Sequence, residues 1–149
     1  MTSISHTFME VTVKKALKLT DDPYRLAGIV QVLLRQNNRF NEQAKQYIWI
    51  CSLATNRRLL NVELLVESDI ETIKINSKAV ITIPLRMEAA GMVVVHNHLD
   101  ESLTPTDCDQ KLHQQLVQVG ELMEIPLWDH ILINEQDYYS FKAAGLLQP

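Results

Sequence analysis

The chain has 149 residues, 46% of them hydrophobic and 21% charged, with a formal net charge of -4; that is enough for one core burying roughly 70% of the unfolded chain's surface, and it lies outside the composition range of disorder. An acidic balance disfavours a dedicated nucleic-acid binder, whose mark is a basic patch, and two cysteines, Cys51 and Cys108, are too few for a secreted disulfide framework. The first residues lack the basic and apolar regions of a signal peptide, and no apolar run of about 18 residues could span a bilayer, so a soluble, cytoplasmic single domain is expected.

In chain order, "EVTVKKALKL" (Glu10 to Leu19) reads as a strand or extended arm. "DDPYRLAGIVQVLLRQ" (Asp21 to Gln36) reads as a helix, with an aspartate cap, a proline in the first turn and apolar residues at Leu26, Ile29, Val30, Leu33 and Leu34. After the polar loop "NNRFNEQAK", "QYIWICSLA" is a buried strand, "TNRR" a turn and "LLNVELLVES" the antiparallel partner, which together make a hairpin. "TIKI" is a short extended piece. "NSKAVITIPLRMEAAG" begins on an Asn/Ser cap and carries apolar residues at helical spacing, with Gly91 as its stop. "MVVVHN" has the character of a central strand and "HLDESLTPTD" that of a loop. "TDCDQKLHQQLVQVGELME" is an amphipathic helix with Thr106 as N-cap and Asp109 three residues on, and "IPLWDHILIN" and "YYSF" close the chain as strands. A hairpin together with helix crossovers implies an α/β domain with a mixed central β-sheet flanked by helices. Ile48, Ile50, Val93 and Val95 are expected in its core.

The chemistry concentrates at the end of the central strand. His96 and His98 are separated by one residue, so in a strand both imidazoles leave on the same side. Asp109 stands eleven residues after His98, in the first turn of the next helix. Two imidazoles and a carboxylate, with a water in the fourth position, form the open coordination of a catalytic zinc site. On spacing alone Cys108 competes with Asp109 as third ligand, because thiolate also suits zinc. The tripeptide "HNH" invites comparison with metal nucleases, whose motif is dispersed over a longer stretch.

From Tyr47 to Leu147 the sequence resembles the RadC-like branch of the JAB/MPN+ (JAMM) metalloprotease superfamily. Its pattern is an upstream glutamate, then H-x-H, seven residues, Ser, two residues, Asp. "HNH", "TPTDCD", "PLWDHILI" and "YYSFKAAGLL" carry the likeness in order. The resemblance implies a JAB/MPN, cytidine-deaminase-like fold, with residues 1–45 as an N-terminal extension and helix and 46–147 as the metal-binding core. It further implies Zn2+ held by His96, His98 and Asp109, with Glu63 as general base and Thr106, at the serine position, as oxyanion donor. The chain departs from the pattern at "LDE", where relatives have Pro-Ser-Gly, at Ser68 and Asp69, where they have Gly-Thr, and at Thr106 itself.

The function so implied is zinc-dependent hydrolysis of a peptide or isopeptide bond, with a peptide, a protein or a ubiquitin-like conjugate as substrate. An accessory role in DNA repair or mobile elements is the alternative attached to the RadC-like branch, and a metal-free interaction module is the third reading. Other residues are expected to be structural: Glu67 and Glu71 as solvated charges, His130 as a core histidine bonded to backbone, Asp129 as an anchor for a loop or helix end. Trp49, Trp128 and Cys51 are expected to pack in the core, and His6 and His113 to be inert.

Overall fold

The computed structural model describes residues 22–36, 46–68, 75–98 and 102–147. The expected strand at Glu10 to Leu19, the polar loop of residues 37–45, most of "TIKI", the "LDE" segment, His6, Asp69 and Glu71 lie outside them.

Helix α1 (Pro23–Gln36) starts where the Asp22 carboxylate accepts the Tyr24 amide at 3.0 Å. It buries Leu26, Ala27, Val30, Leu33 and Leu34 along one stripe. Strands β1 (Gln46–Leu53) and β2 (Leu59–Ser68) form the expected hairpin. Asn76 caps α2 (Ser77–Arg86) by accepting the Lys78 amide at 2.8 Å, and β3 (Gly91–Asn97) follows. Helix α3 (Asp107–Leu122) then crosses to β4 (Leu127–Ile133), and β5 (Tyr138–Ser140) closes the sheet. The order is β2-β1-β3-β4-β5, with β3 and β4 parallel and the other pairs antiparallel. The mixed α/β sheet is as expected from the sequence.

Side-chain alternation sorts the core into two layers. Trp49, Cys51, Val93 and Val95 pack with α1 on one face. Ile48, Ile50, Met92 and Val94 pack with residues of α2 and α3 on the other. Burial on both faces explains why β1 and β3 read as nearly continuous apolar runs. Among the described residues no helix is long and apolar enough to cross a membrane.

One element boundary differs from the sequence reading. Gly91 does not stop α2; the helix ends at Arg86, Glu88 takes the left-handed conformation at φ 53°, and Gly91 opens β3. Glycine is needed there for space, because a Cβ would overlap the Trp128 ring.

Candidate metal centre

The parallel β3–α3–β4 crossover brings the C-terminal end of β3 against the N-terminus of α3, the usual place for a site in an open α/β sheet. His96 follows Met92 and Val94 on the α2/α3 face and is buried. His98 lies one residue beyond β3, its backbone N–H donating to the Ile133 carbonyl at 2.8 Å. Asp109 is buried in the first turn of α3 and completes a capping box. The Asp109 amide donates to Thr106 Oγ1 at 3.1 Å, and the Thr106 amide donates to Asp109 Oδ2 at 2.8 Å. The cap that starts the helix therefore also aims the carboxylate.

His96, His98 and Asp109 each offer a ligand atom, all within 4.8 Å of one another, an arrangement that could hold a metal ion. His96 Nε2 stands 3.6 Å from Asp109 Oδ1, and His98 Nε2 stands 2.7 Å from Asp109 Oδ2. His98 Nδ1–H donates to the Ser102 carbonyl at 2.7 Å, so in the neutral ring Nε2 carries a lone pair aimed at a carboxylate. Two acceptors at that distance require a proton or a cation between them. Nitrogen and oxygen ligands of a tetrahedral zinc, each about 2.1 Å from the metal, stand roughly 3.4 Å apart. The His96–Asp109 separation meets that value, and the His98–Asp109 pair meets it by opening slightly.

Electrostatics favours the ligating protonation states. Burial lowers the His96 pKa to about 4, outweighing the opposing Asp109 charge, with His98 adding to the lowering. Burial would raise Asp109, but the His98 hydrogen bond, the Thr106 amide and the two histidine charges hold it at about 2. A neutral His96 imidazole beside an ionised Asp109 carboxylate is the state a cation needs.

The other sequence-predicted residues surround this cluster. Cys108 is exposed and lies outside the group, which leaves Asp109 as the carboxylate beside the two histidines. Thr106 is exposed at the helix start. Glu63 pairs across the hairpin with Ile50, itself opposite Val94, whereas His96 pairs with Ile48. It shares the face of His96 but stands two strands across and two residues back, about 12 Å between Cα atoms at standard sheet spacings. Its carboxylate accepts from Arg86 Nη2 at 2.5 Å and Asn61 Nδ2 at 3.3 Å.

Two expectations need correction. His113, expected to be inert, is buried in α3, where Nε2–H donates to the Leu147 carbonyl at 2.9 Å and Nδ1 stands 3.2 Å from His130 Nδ1. His130 is a core histidine, but its ring bonds to His113 and not to backbone. The sequence offered only that Asp109 and His113 are four apart on one helix face; the pairing of His130 with Val94, two residues before His96, comes from the sheet register. Asp129 is an anchor as expected, accepting from Ser140 Oγ at 2.5 Å and the Lys142 amide at 3.0 Å.

Comparison with known proteins matches residues 26–146 to the RadC-like JAB domain. The chain is similar to the UPF0758 protein YfjY of Escherichia coli (strain K12), at 27% identity over 141 residues, which covers 91% of this chain and 88% of the relative. It is 33% identical to the UPF0758 protein YkfG of the same organism over 95 residues, 64% of this chain and 60% of that one. A UPF0758 protein of Chlorobium chlorochromatii (strain CaD3) is 28% identical over 111 residues, covering 74% of this chain and 50% of the relative. The chain spans about half the length of the Chlorobium relative and of others like it.

Proposed function

The chain belongs to the RadC-like JAB domain family, and on that premise we propose that it is a zinc-dependent hydrolase of peptide or isopeptide bonds. The observation that carries this reading is the convergence of His96, His98 and Asp109, whose ligand atoms all lie within 4.8 Å of one another. Two nitrogens and one oxygen leave a coordination position open, as in catalytic zinc sites. Zinc bound there supplies a water whose pKa falls from 15.7 to about 7 and a Lewis acid that polarises a carbonyl.

The chain's own residues do the remaining work. Glu63 takes the proton of the attacking water and returns it to the leaving amine. Thr106, whose oxygen already accepts the Asp109 amide, keeps its hydroxyl proton for the developing oxyanion. Asp109 is held by the same cap, so binding and oxyanion stabilisation share one turn of α3. The substrate class is a peptide or protein, including a ubiquitin-like conjugate.

Metal content tests the reading directly. Elemental analysis of the wild type should give one zinc per chain, His96→Ala and Asp109→Ala should each lose it, and Cys108→Ser should retain it. Loss of zinc in the cysteine variant alone would overturn the ligand set. If wild type and Glu63→Gln both bind zinc yet are equally inactive on a panel of peptide and isopeptide substrates, an accessory role replaces catalysis.

A further inference from the structure

Four of the chain's five histidines form one row, buried at His96, His113 and His130 and partly buried at His98. From His98 the row passes to His96, with ring centroids 5.7 Å apart, then to His130 at 5.9 Å and to His113 at a further 5.4 Å. Phe141 stacks on the last two, at 4.6 Å from His130 and 4.4 Å from His113. At the far end the bonding fixes the proton positions. The Leu147 carbonyl can only accept, so His113 carries its proton on Nε2. Its Nδ1 is then an acceptor, and the 3.2 Å contact requires His130 to donate from Nδ1. His130 Nε2 is left with a lone pair, and it is a buried atom with no hydrogen-bond partner.

At the near end the complementary atom is also alone. His96 presents Nε2 toward Asp109, so in its neutral ligating form the proton sits on Nδ1, which is likewise buried and without a partner. A buried donor and a buried acceptor, each unsatisfied, thus belong to neighbouring rings. His96 and His130 are inclined by only 22°, and their centroid separation is close to that of the hydrogen-bonded His113–His130 pair. Leaving a buried donor or acceptor unpaired is unfavourable, and one bond between these two atoms would satisfy both.

We propose that His130 is a positioning residue for the metal ligand His96: with the metal bound, its Nε2 accepts the His96 Nδ1–H, a bond left open in this structure, while His113 and the Leu147 carbonyl hold His130 in the tautomer that can do so. The inference rests on the ligand set of the proposed function and deepens it. A metal-ligating histidine ordinarily donates its second N–H to a carboxylate, carbonyl or water. Here a second imidazole takes that place, and the chain of bonds ends on the backbone of the C-terminal segment. The row thereby couples the packing of that segment to the orientation of His96.

The test uses the full chain in three measurements. Nitrogen-15 correlation spectra of the histidine side chains should show His113 protonated on Nε2 and His130 on Nδ1, and in the zinc-loaded protein His96 protonated on Nδ1. Zinc affinity by chelator competition should fall about 10-fold to 100-fold in His130→Phe, the range for loss of such an outer partner. His130→Gln, which keeps an acceptor and a donor, should recover much of it. Thermal melts of the metal-free proteins separate this from general damage: the two variants should melt alike while their zinc affinities differ. His130 protonated on Nε2, or equal zinc affinity in wild type and His130→Phe, would overturn the inference while zinc loss in His96→Ala upholds the ligand set. A wild type that takes up no zinc overturns both.

Discussion

Among the described residues, Glu63 accepts on Oε1 from Arg86 and Asn61. The second carboxylate oxygen can therefore face a water without dismantling the pair. Arg86 is half exposed, with 54% of its side chain accessible against 22% for Glu63, so the ion pair contributes at most about 1 kcal/mol to stability. Its use is to hold the carboxylate in place. Glu63→Gln keeps an oxygen for the Arg86 guanidinium and removes the ability to accept a proton. The variant should fold and bind zinc like the wild type while hydrolysis falls roughly 10²-fold to 10⁴-fold. Parallel measurement of zinc content and turnover checks this, and turnover within a factor of three of wild type would remove Glu63 from the base role.

Among the elements, α3 carries the most of the candidate site, because its N-cap, Asp109 and the buried His113 all belong to its start and first two turns. Thr106→Ala deletes the cap acceptor and should cost about 1 kcal/mol, seen as a lower urea midpoint; Thr106→Ser should keep the cap and the hydroxyl alike. The start of β3 is constrained differently. Gly91→Ala places a methyl group against Trp128, whose ring also lies 3.8 Å under the Arg57 guanidinium. The overpacking should destabilise by about 1–3 kcal/mol, and a variant as stable as wild type would show that the ring shifts freely. Hairpin, crossover helix and central strand were legible in the sequence because their apolar periods are regular. Gly91 misled because glycine serves helix stops and close approaches equally, and only the packing of Trp128 distinguishes them. The His-x-His pair and Asp109 were legible because the three residues are close in sequence. His113 and His130 were not, since their contacts depend on α3 and β4 meeting across the crossover.

Across the whole molecule, the buried histidine row makes stability depend on pH in a defined direction. Burial lowers the pKa of His96 to about 4, and burial is also the leading cause of the lowering at His113 and His130. In the unfolded chain these rings titrate near 6.5. Between the two values the unfolded chain binds more protons than the folded one, so stability rises with pH there and is lost as pH falls. For His96 alone the shift corresponds to about 3 kcal/mol across the window from pH 6.5 to 4, and the other two rings act with the same sign. Asp109, lowered to about 2, adds its own loss only below about pH 4. Urea unfolding of the metal-free protein should therefore show a midpoint that declines from pH 7 to about pH 5.5, before carboxylates at their ordinary values become protonated. His96→Ala removes one of the titrating groups and should flatten the decline even where its starting stability is lower. Zinc should sharpen the same dependence, because acid must displace the metal before it can protonate His96 and His98. A midpoint constant from pH 7 to pH 5 in the metal-free protein would mean that the row accepts protons without unfolding, and with it the neutral chain of imidazoles from Leu147 to His96 would fail.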